Sequence, residues 1–404
     1  MPSRPSFAES VALLAMMMCL VALSIDAMLP ALPEIAADLG ASGPNSAQFV
    51  ITALLFGLSL GQLIYGPISD TFGRRGPILV GLVLFGFGSL LSMVASDYET
   101  MLIGRFLQGF GAAGPRVVTA ALVRDQYSGP NMARMMSFIM TVFIVVPALA
   151  PALGQGLLMV GSWRTIYASF LVLAVVAVVW FMLRQPETLP VSKRHPFKLS
   201  RITSAMGECI AHPVSRNYAI AAGLVFGSFV GFLTSVQQIF ATIYGIGDWF
   251  PLYFGMLAVM IGTASLVNAR IVVRLGMQKL AATALCGILA LATAGLVVMW
   301  ATQSNPTLIM LMAMLLPVFF CFGILFGNFN ALAMEPMGHI AGTAAAAIAS
   351  ITSLIAAVFG TLIGQSFDGT VVPLFSGFVV ATGVGLVILI STERWRGSHA
   401  RAQA

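Results

Sequence analysis

Leu102–Asp125 reads LIGRFLQGFGAAGPRVVTAALVRD, a long and mostly apolar run that holds two arginines, Arg105 and Arg116. A guanidinium placed in hydrocarbon costs at least about 2.5–3.5 kcal/mol. The two are eleven residues apart, almost three full turns at about 3.6 residues per turn, so they project from nearly one face of a helix. Gln108 and Ala112 fall close to that face. A polar stripe on an otherwise apolar helix faces a bundle interior and turns away from lipid. The stretch therefore predicts a membrane-spanning helix whose polar side is covered by other helices.

The rest of the chain agrees. Of its 404 residues 59% are hydrophobic and 8% are charged, where a soluble chain carries about 25% charged residues. Such a chain cannot cover its own surface with charge, and its solvent is largely lipid. The 28 Phe, 23 Met and 40 Gly suit membrane helices, in which glycine lets backbones approach closely. Cys19, Cys209, Cys286 and Cys321 have no spacing that resembles a zinc site or a disulfide framework. The apolar run near the N-terminus exceeds a signal-peptide core and lacks a convincing cleavage site, so it reads as a retained first span.

About 20 apolar residues cross the hydrocarbon layer as a helix. Twelve such segments are expected, at 10–30, 47–66, 77–95, 100–123, 134–159, 163–183, 217–243, 250–270, 279–300, 307–334, 342–365 and 371–391. The expected fold class is an all-α membrane protein of two six-helix bundles. Residues 1–183 form the first bundle, 184–216 a basic linker with a short amphipathic helix near 202–211, and 217–404 the second bundle with its tail. Of the 20 Lys and Arg, Arg164 alone falls on one side of the membrane and Arg105 and Arg116 fall inside a span. The others, among them Arg4, Arg74, Arg75, Arg184, Lys193, Arg201 and Arg401, fall on the side of both termini. The positive-inside rule makes that side the cytoplasm. It also weakens a nucleic-acid reading, since the charges are spread over loops facing anionic lipid heads. Two loops, GPISDTFGRRGPIL after span 2 and NARIVVRLGMQKL after span 8, share length, glycine and basic character, which suggests a duplicated bundle.

Ionisable groups inside a membrane point to function, and three lie deep, Asp26, Arg105 and Arg116. Asp26 is about 24 Å along span 1, and Arg105 about 8 Å below the outer end of the antiparallel span 4, at 1.5 Å per residue. The two depths match, and a pair between them, direct or through water, is geometrically allowed. Pro30 and Pro33 follow Asp26 and end or distort span 1 beside it. For Arg116, snorkelling to the inner headgroups or pairing with a loop carboxylate stands beside a functional role. Gln237 and Gln238 in span 7 and Asn328 and Asn330 in span 10 are further candidates to line a cavity or bridge helices.

GPISDTFGRRGPIL resembles motif A of the major facilitator superfamily, with Gly66, Asp70, Gly73, Arg74, Arg75 and Leu79 in place and Thr71 where that family often has Arg. LIGRFLQGFGAA resembles motif B, through Arg105, Gln108 and Gly109. VVPALAPALGQGL in span 5 is similar to motif C, the antiporter motif, through Pro147, Pro151 and Gly154, and departs from it at Ala150 and Gln155. SIDAMLPALPEI and FGNFNALAMEPMGHIAGTAAAA resemble the twelve-span drug/proton antiporters of the Bcr/CflA multidrug-resistance group.

That resemblance implies a proton-coupled exporter of drugs or small amphiphiles in the inner membrane, working by alternating access. Asp26 and Arg105 would couple protons, and Asp26, Gln108, Gln237, Gln238, Asn328 and Asn330 would meet substrate. A latch would comprise Gly66, Asp70, Gly73, Arg74, Arg75 and Asp125. A symporter for a nutrient or metabolite uses the same fold and the same Asp. The chain carries no Walker A sequence, and its four His (195, 212, 339 and 399) lack metal spacing. The expected partners are a small-molecule substrate, protons and membrane lipid, with no nucleic acid. The expected form is a monomer that is not an enzyme and uses no metal or cofactor, its energy coming from the proton gradient.

Overall fold

The computed structural model of the chain describes residues 6–43, 45–194 and 196–403. Arg4 and His195 lie outside these residues, as do the side chains of Arg201, His399 and Arg401. Among the described residues the regular structure is helical throughout. The twelve long helices are named here in chain order. They are α1 (Phe7–Asp26), α2 (Phe49–Phe72), α3 (Arg75–Met93), α4 (Tyr98–Gln126), α5 (Gly129–Val160), α6 (Trp163–Arg184), α7 (Pro213–Gln238), α8 (Phe250–Leu275), α9 (Met277–Thr302), α10 (Leu308–Met334), α11 (Ala341–Gln365) and α12 (Val372–Gln403). By length and apolarity alone ten segments are fit to cross a membrane. The two counts differ for a physical reason. Helix α4 carries too many polar residues to qualify by composition, and α10 and α11 merge into one apolar stretch across the 3-10 turn Glu335–Ile340.

The chain forms two compact units, Met1–Ile202 and Thr203–Ala404. In the first, α4 packs on α2 and α3, α3 on α6, and α1 on α5 and α4. In the second, α10 packs on α8 and α9, α9 on α12, and α7 on α11 and α10. Advancing each helix number by six converts one set of neighbours into the other, so the repeat hinted at by two loops extends to the packing. The loops themselves match. Gly73 separates α2 from α3 with φ +94°, and Gly276 separates α8 from α9 with φ +82°. Both need the left-handed backbone that side chains disfavour.

Helix ends follow local chemistry. Ser6 caps α1 by accepting from the Glu9 N–H, and Asp97 caps α4 by accepting from Thr100 N–H. At one end of the first unit Glu9 receives Arg184 on both oxygens, at 2.5 and 2.7 Å, and the Trp180 indole at 3.2 Å, tying α1 to α6. At the other end Asp38 receives Arg164 at 2.6 Å and the Trp163 indole at 3.0 Å. The linker carries a helix at Leu199–Ala211, three residues earlier than the sequence suggests.

Candidate functional site

Helix α1 stops at Asp26, because the residues beyond it carry Pro30 and Pro33 and continue as a 3-10 turn, Leu29–Ala31, and a short helix, Leu32–Asp38. Asp26 is 5% exposed and makes no side-chain hydrogen bond or ion pair among the described residues. Its backing comes from α5. A Cβ placed on Gly154 would stand 1.8 Å from the Ala27 carbonyl oxygen, so only glycine lets α5 press against the break. Pro151 and Gly154 are buried, Pro147 is half-buried, and both prolines lie inside α5. Gly154 of the motif C stretch thus brings α5 against the backbone next to the carboxylate.

Arg105 is fully buried. Its Nε donates to the Val50 carbonyl of α2 at 3.1 Å, its Nη1 to Gln108 Oε1 at 2.5 Å and its Nη2 to the Ser24 carbonyl of α1 at 3.1 Å. The Tyr167 ring centroid lies 5.8 Å from its guanidinium carbon. Helices α1 and α4 are therefore neighbours and the guanidinium reaches the last turn of α1. Of the two forms allowed for the Asp26–Arg105 pair, the direct one is not formed, because Arg105 bonds a backbone carbonyl two residues before Asp26 and not its carboxylate. Carbonyl oxygens in the last turn of a helix are unpaired acceptors, and that of Ser24 competes well for a guanidinium held this close. Gln108, offered above as a substrate contact, is occupied at both ends, since its Nε2 donates to Ser89 Oγ on α3 at 2.8 Å.

A second cluster gathers the motif A residues. Arg74 is 7% exposed. Its Nη1 contacts Asp70 at 2.5 Å and Ser69 Oγ at 2.8 Å, and its Nε contacts Asp125 of α4 at 2.8 Å. Arg75 Nη2 donates to the Met182 carbonyl at 2.7 Å. Gly66 is half-buried one turn before Asp70. Sequence reasoning missed Glu187. Its carboxylate accepts from the backbone N–H groups of Arg74, at 2.8 Å, and Arg75, at 3.0 Å, where α3 begins, and anions are favoured at helix N-termini. It also accepts from the N–H groups of Thr188 and Leu189 at 2.9 Å. Partial burial opposes its ionisation, and the donors from Leu189, Arg74, Arg75 and Thr188 outweigh that and hold its carboxyl below the usual range. The signal available was a lone Glu in a Pro-flanked linker, QPETLP, which nothing in the sequence joins to the α2–α3 loop.

In the second unit Gln237 is 8% exposed and its Oε1 is buried without a partner, at the end of α7 just before a π-helical turn, Ile239–Ile243. Such turns recur at functional sites. Gln238 is half-buried beside it. Asn328 is buried and exchanges amide hydrogen bonds with Asn268 of α8, at 2.9 and 3.4 Å. Asn330 is exposed. Two positions apart on a helix they point in different directions, so the pair is not brought together; Asn328 bridges helices.

A helical membrane protein of two similarly packed six-helix units, with an unpaired carboxylate at a helix break and a buried arginine beside it, has the build of a secondary transporter. The sequence profile of the Major Facilitator Superfamily matches residues 14–361, and the chain belongs to that family. It is 32% identical over 387 residues to the uncharacterized MFS-type transporter YdgK of Bacillus subtilis (strain 168), covering 95% of both chains. It is 30% identical over 356 residues to the bicyclomycin resistance protein homolog of Haemophilus influenzae, covering 87% of both. Among solved structures the human organic anion transporter MFSD10 superposes with a TM-score of 0.69, over 96% of this chain and 99% of that one. At 17% identity this last likeness concerns the fold alone.

Proposed function

We propose that the chain exports drugs or other small amphiphiles across the inner membrane in exchange for protons, by alternating access, with both termini in the cytoplasm. One observation carries the reading: Asp26, a carboxylate enclosed by protein at the break of α1, has no fixed partner among the described residues. A carboxylate locked into an ion pair is held in its charged form, whereas an unlocked one in a dry setting gains and loses a proton as its surroundings change. Substrate binds while Asp26 is ionised. Opening to the outside lets the carboxylate take a proton, and substrate leaves. Arg105 stays fixed to α1 and α2 and supplies a positive charge beside the carboxylate, stabilising it whenever it is ionised. With one deep carboxylate the exchange is one proton per cycle.

The relative from Haemophilus influenzae is named for bicyclomycin resistance, which supports a drug-like substrate. So does the second unit, where the half-buried rings of Phe226, Phe229 and Phe326 meet at centroid distances of 5.7–6.1 Å. Adaptable apolar surfaces of this type suit varied amphiphiles. A symporter would use the same carboxylate. Expression in a host lacking its own exporters, challenged with a panel of antibiotics and dyes, tests the direction. Raised resistance to a subset of them is expected. Proton-driven uptake of those same compounds into intact cells would favour the symporter and overturn the export reading.

A further inference from the structure

Arg116 has no role in the proton exchange described above. It lies on α4 ten residues before Gln126, about 15 Å from that end at 1.5 Å per residue. Side chains on a helix tilt toward its N-terminus, which for α4 is the end away from the basic loops, so snorkelling to the nearer headgroups works against the geometry. The face it shares is closed. Ala112, Ala113 and Thr119 around it are fully buried, as is Arg105 three turns back, while Ile103, on the far side of the helix, is 56% exposed. Arg116 itself is half-buried, so part of its side chain stays accessible.

Among the described residues Arg116 makes no hydrogen bond, ion pair or ring contact. The other carboxylates of its unit are committed or distant: Glu9 bonds Arg184, Asp38 bonds Arg164, Asp70 and Asp125 bond Arg74, Glu187 caps the start of α3, Glu34 accepts from the Trp163 N–H, Asp97 caps α4, and Glu99 is exposed in the first turn of α4. Asp26 is near Arg105, eleven residues and about 16 Å along the stripe. One turn beyond Arg116 the Thr119 hydroxyl is fully buried and also lacks a partner. An unpaired cation inside a membrane bundle is costly, and an oxyanion is the group a guanidinium binds best, through two parallel bonds. Among the described residues of this unit no oxyanion bonds Arg116.

The geometry points to Arg116 as the recognition point for the acidic group of an anionic or zwitterionic substrate, a carboxylate or similar oxyanion carried on an apolar body, with Thr119 as a second donor. This rests on the transporter reading above and names the substrate class for it.

Equilibrium binding to the detergent-purified full-length chain tests it, with naphthalene-2-carboxylate and its neutral amide, naphthalene-2-carboxamide, as matched probes. Wild type is expected to bind the carboxylate about tenfold more tightly than the amide, equivalent to about 1.4 kcal/mol. Arg116→Gln should level the two by weakening the carboxylate alone, Arg116→Lys should keep part of the preference, and Arg274→Gln, at an exposed position ending α8, should change nothing. A wild-type chain that binds the carboxylate no tighter than the amide overturns the inference without any variant. So does a preference that survives in folded Arg116→Gln. Binding at equilibrium needs no proton gradient, so failure of proton coupling at Asp26 leaves this result standing, and loss of the charge preference leaves the coupling test standing.

Discussion

Gly73 meets two demands at once. Its φ of +94° with ψ of 171° is a backbone conformation left almost entirely to glycine, and a Cβ there would lie 2.4 Å from Glu187 Oε2. Gly73→Ala is expected to destabilise the chain by about 1–3 kcal/mol, read as a lower thermal midpoint in detergent. Glu187 makes a prediction of its own. Its folded-state carboxyl titrates below the ordinary value, so its contribution to stability is complete above the unfolded pKa of about 4.3 and is lost as pH falls through the lower folded value. Glu187→Gln should lower stability at neutral pH and flatten this acid-side loss, and an unchanged profile would remove the carboxylate from the role of capping α3. The motif A residues were legible in the sequence because they are consecutive. Glu187 was not, because its partners are backbone N–H groups more than a hundred residues away, and a backbone donor leaves no mark on composition.

At the scale of elements, α4 is the axis of the first unit. Its polar stripe was readable from the eleven-residue spacing of its arginines, and so was the break of α1 from two prolines. The partner of Arg105 was not readable. Depth arithmetic placed Arg105 level with Asp26, and the guanidinium instead took the carbonyls of Ser24 and Val50, acceptors that every residue carries. Arg105→Ala is expected to cost about 3 kcal/mol, because buried acceptors on α1, α2 and α4 lose a charged donor together. Arg105→Lys should recover only part, since one ammonium cannot span three directions. Thermal unfolding of both variants checks this. The seam between α1 and α5 is as tight, and Gly154→Val should push the break of α1 out of place. Proton-driven flux is then expected to fall further than the thermal midpoint alone would explain.

For the whole molecule, the two units share one plan of helix neighbours, and the left-handed glycines Gly73 and Gly276 sit at equivalent joints. The functional groups do not follow that symmetry. The first unit holds Asp26, Arg105 and Arg116, while the corresponding helices of the second hold amides and rings such as Gln237, Asn328 and Phe326. The shared plan of neighbours supplies the frame, and on the proposed reading one unit handles protons and charge while the other offers apolar contact. The central claim is that Asp26 carries the proton. It is tested most directly by flux of a substrate from the resistance panel in liposomes under an imposed pH gradient, wild type against Asp26→Asn. The account predicts that Asp26→Asn still exchanges substrate down its own gradient but no longer responds to the proton gradient. Proton-driven efflux that persists undiminished in Asp26→Asn would contradict it.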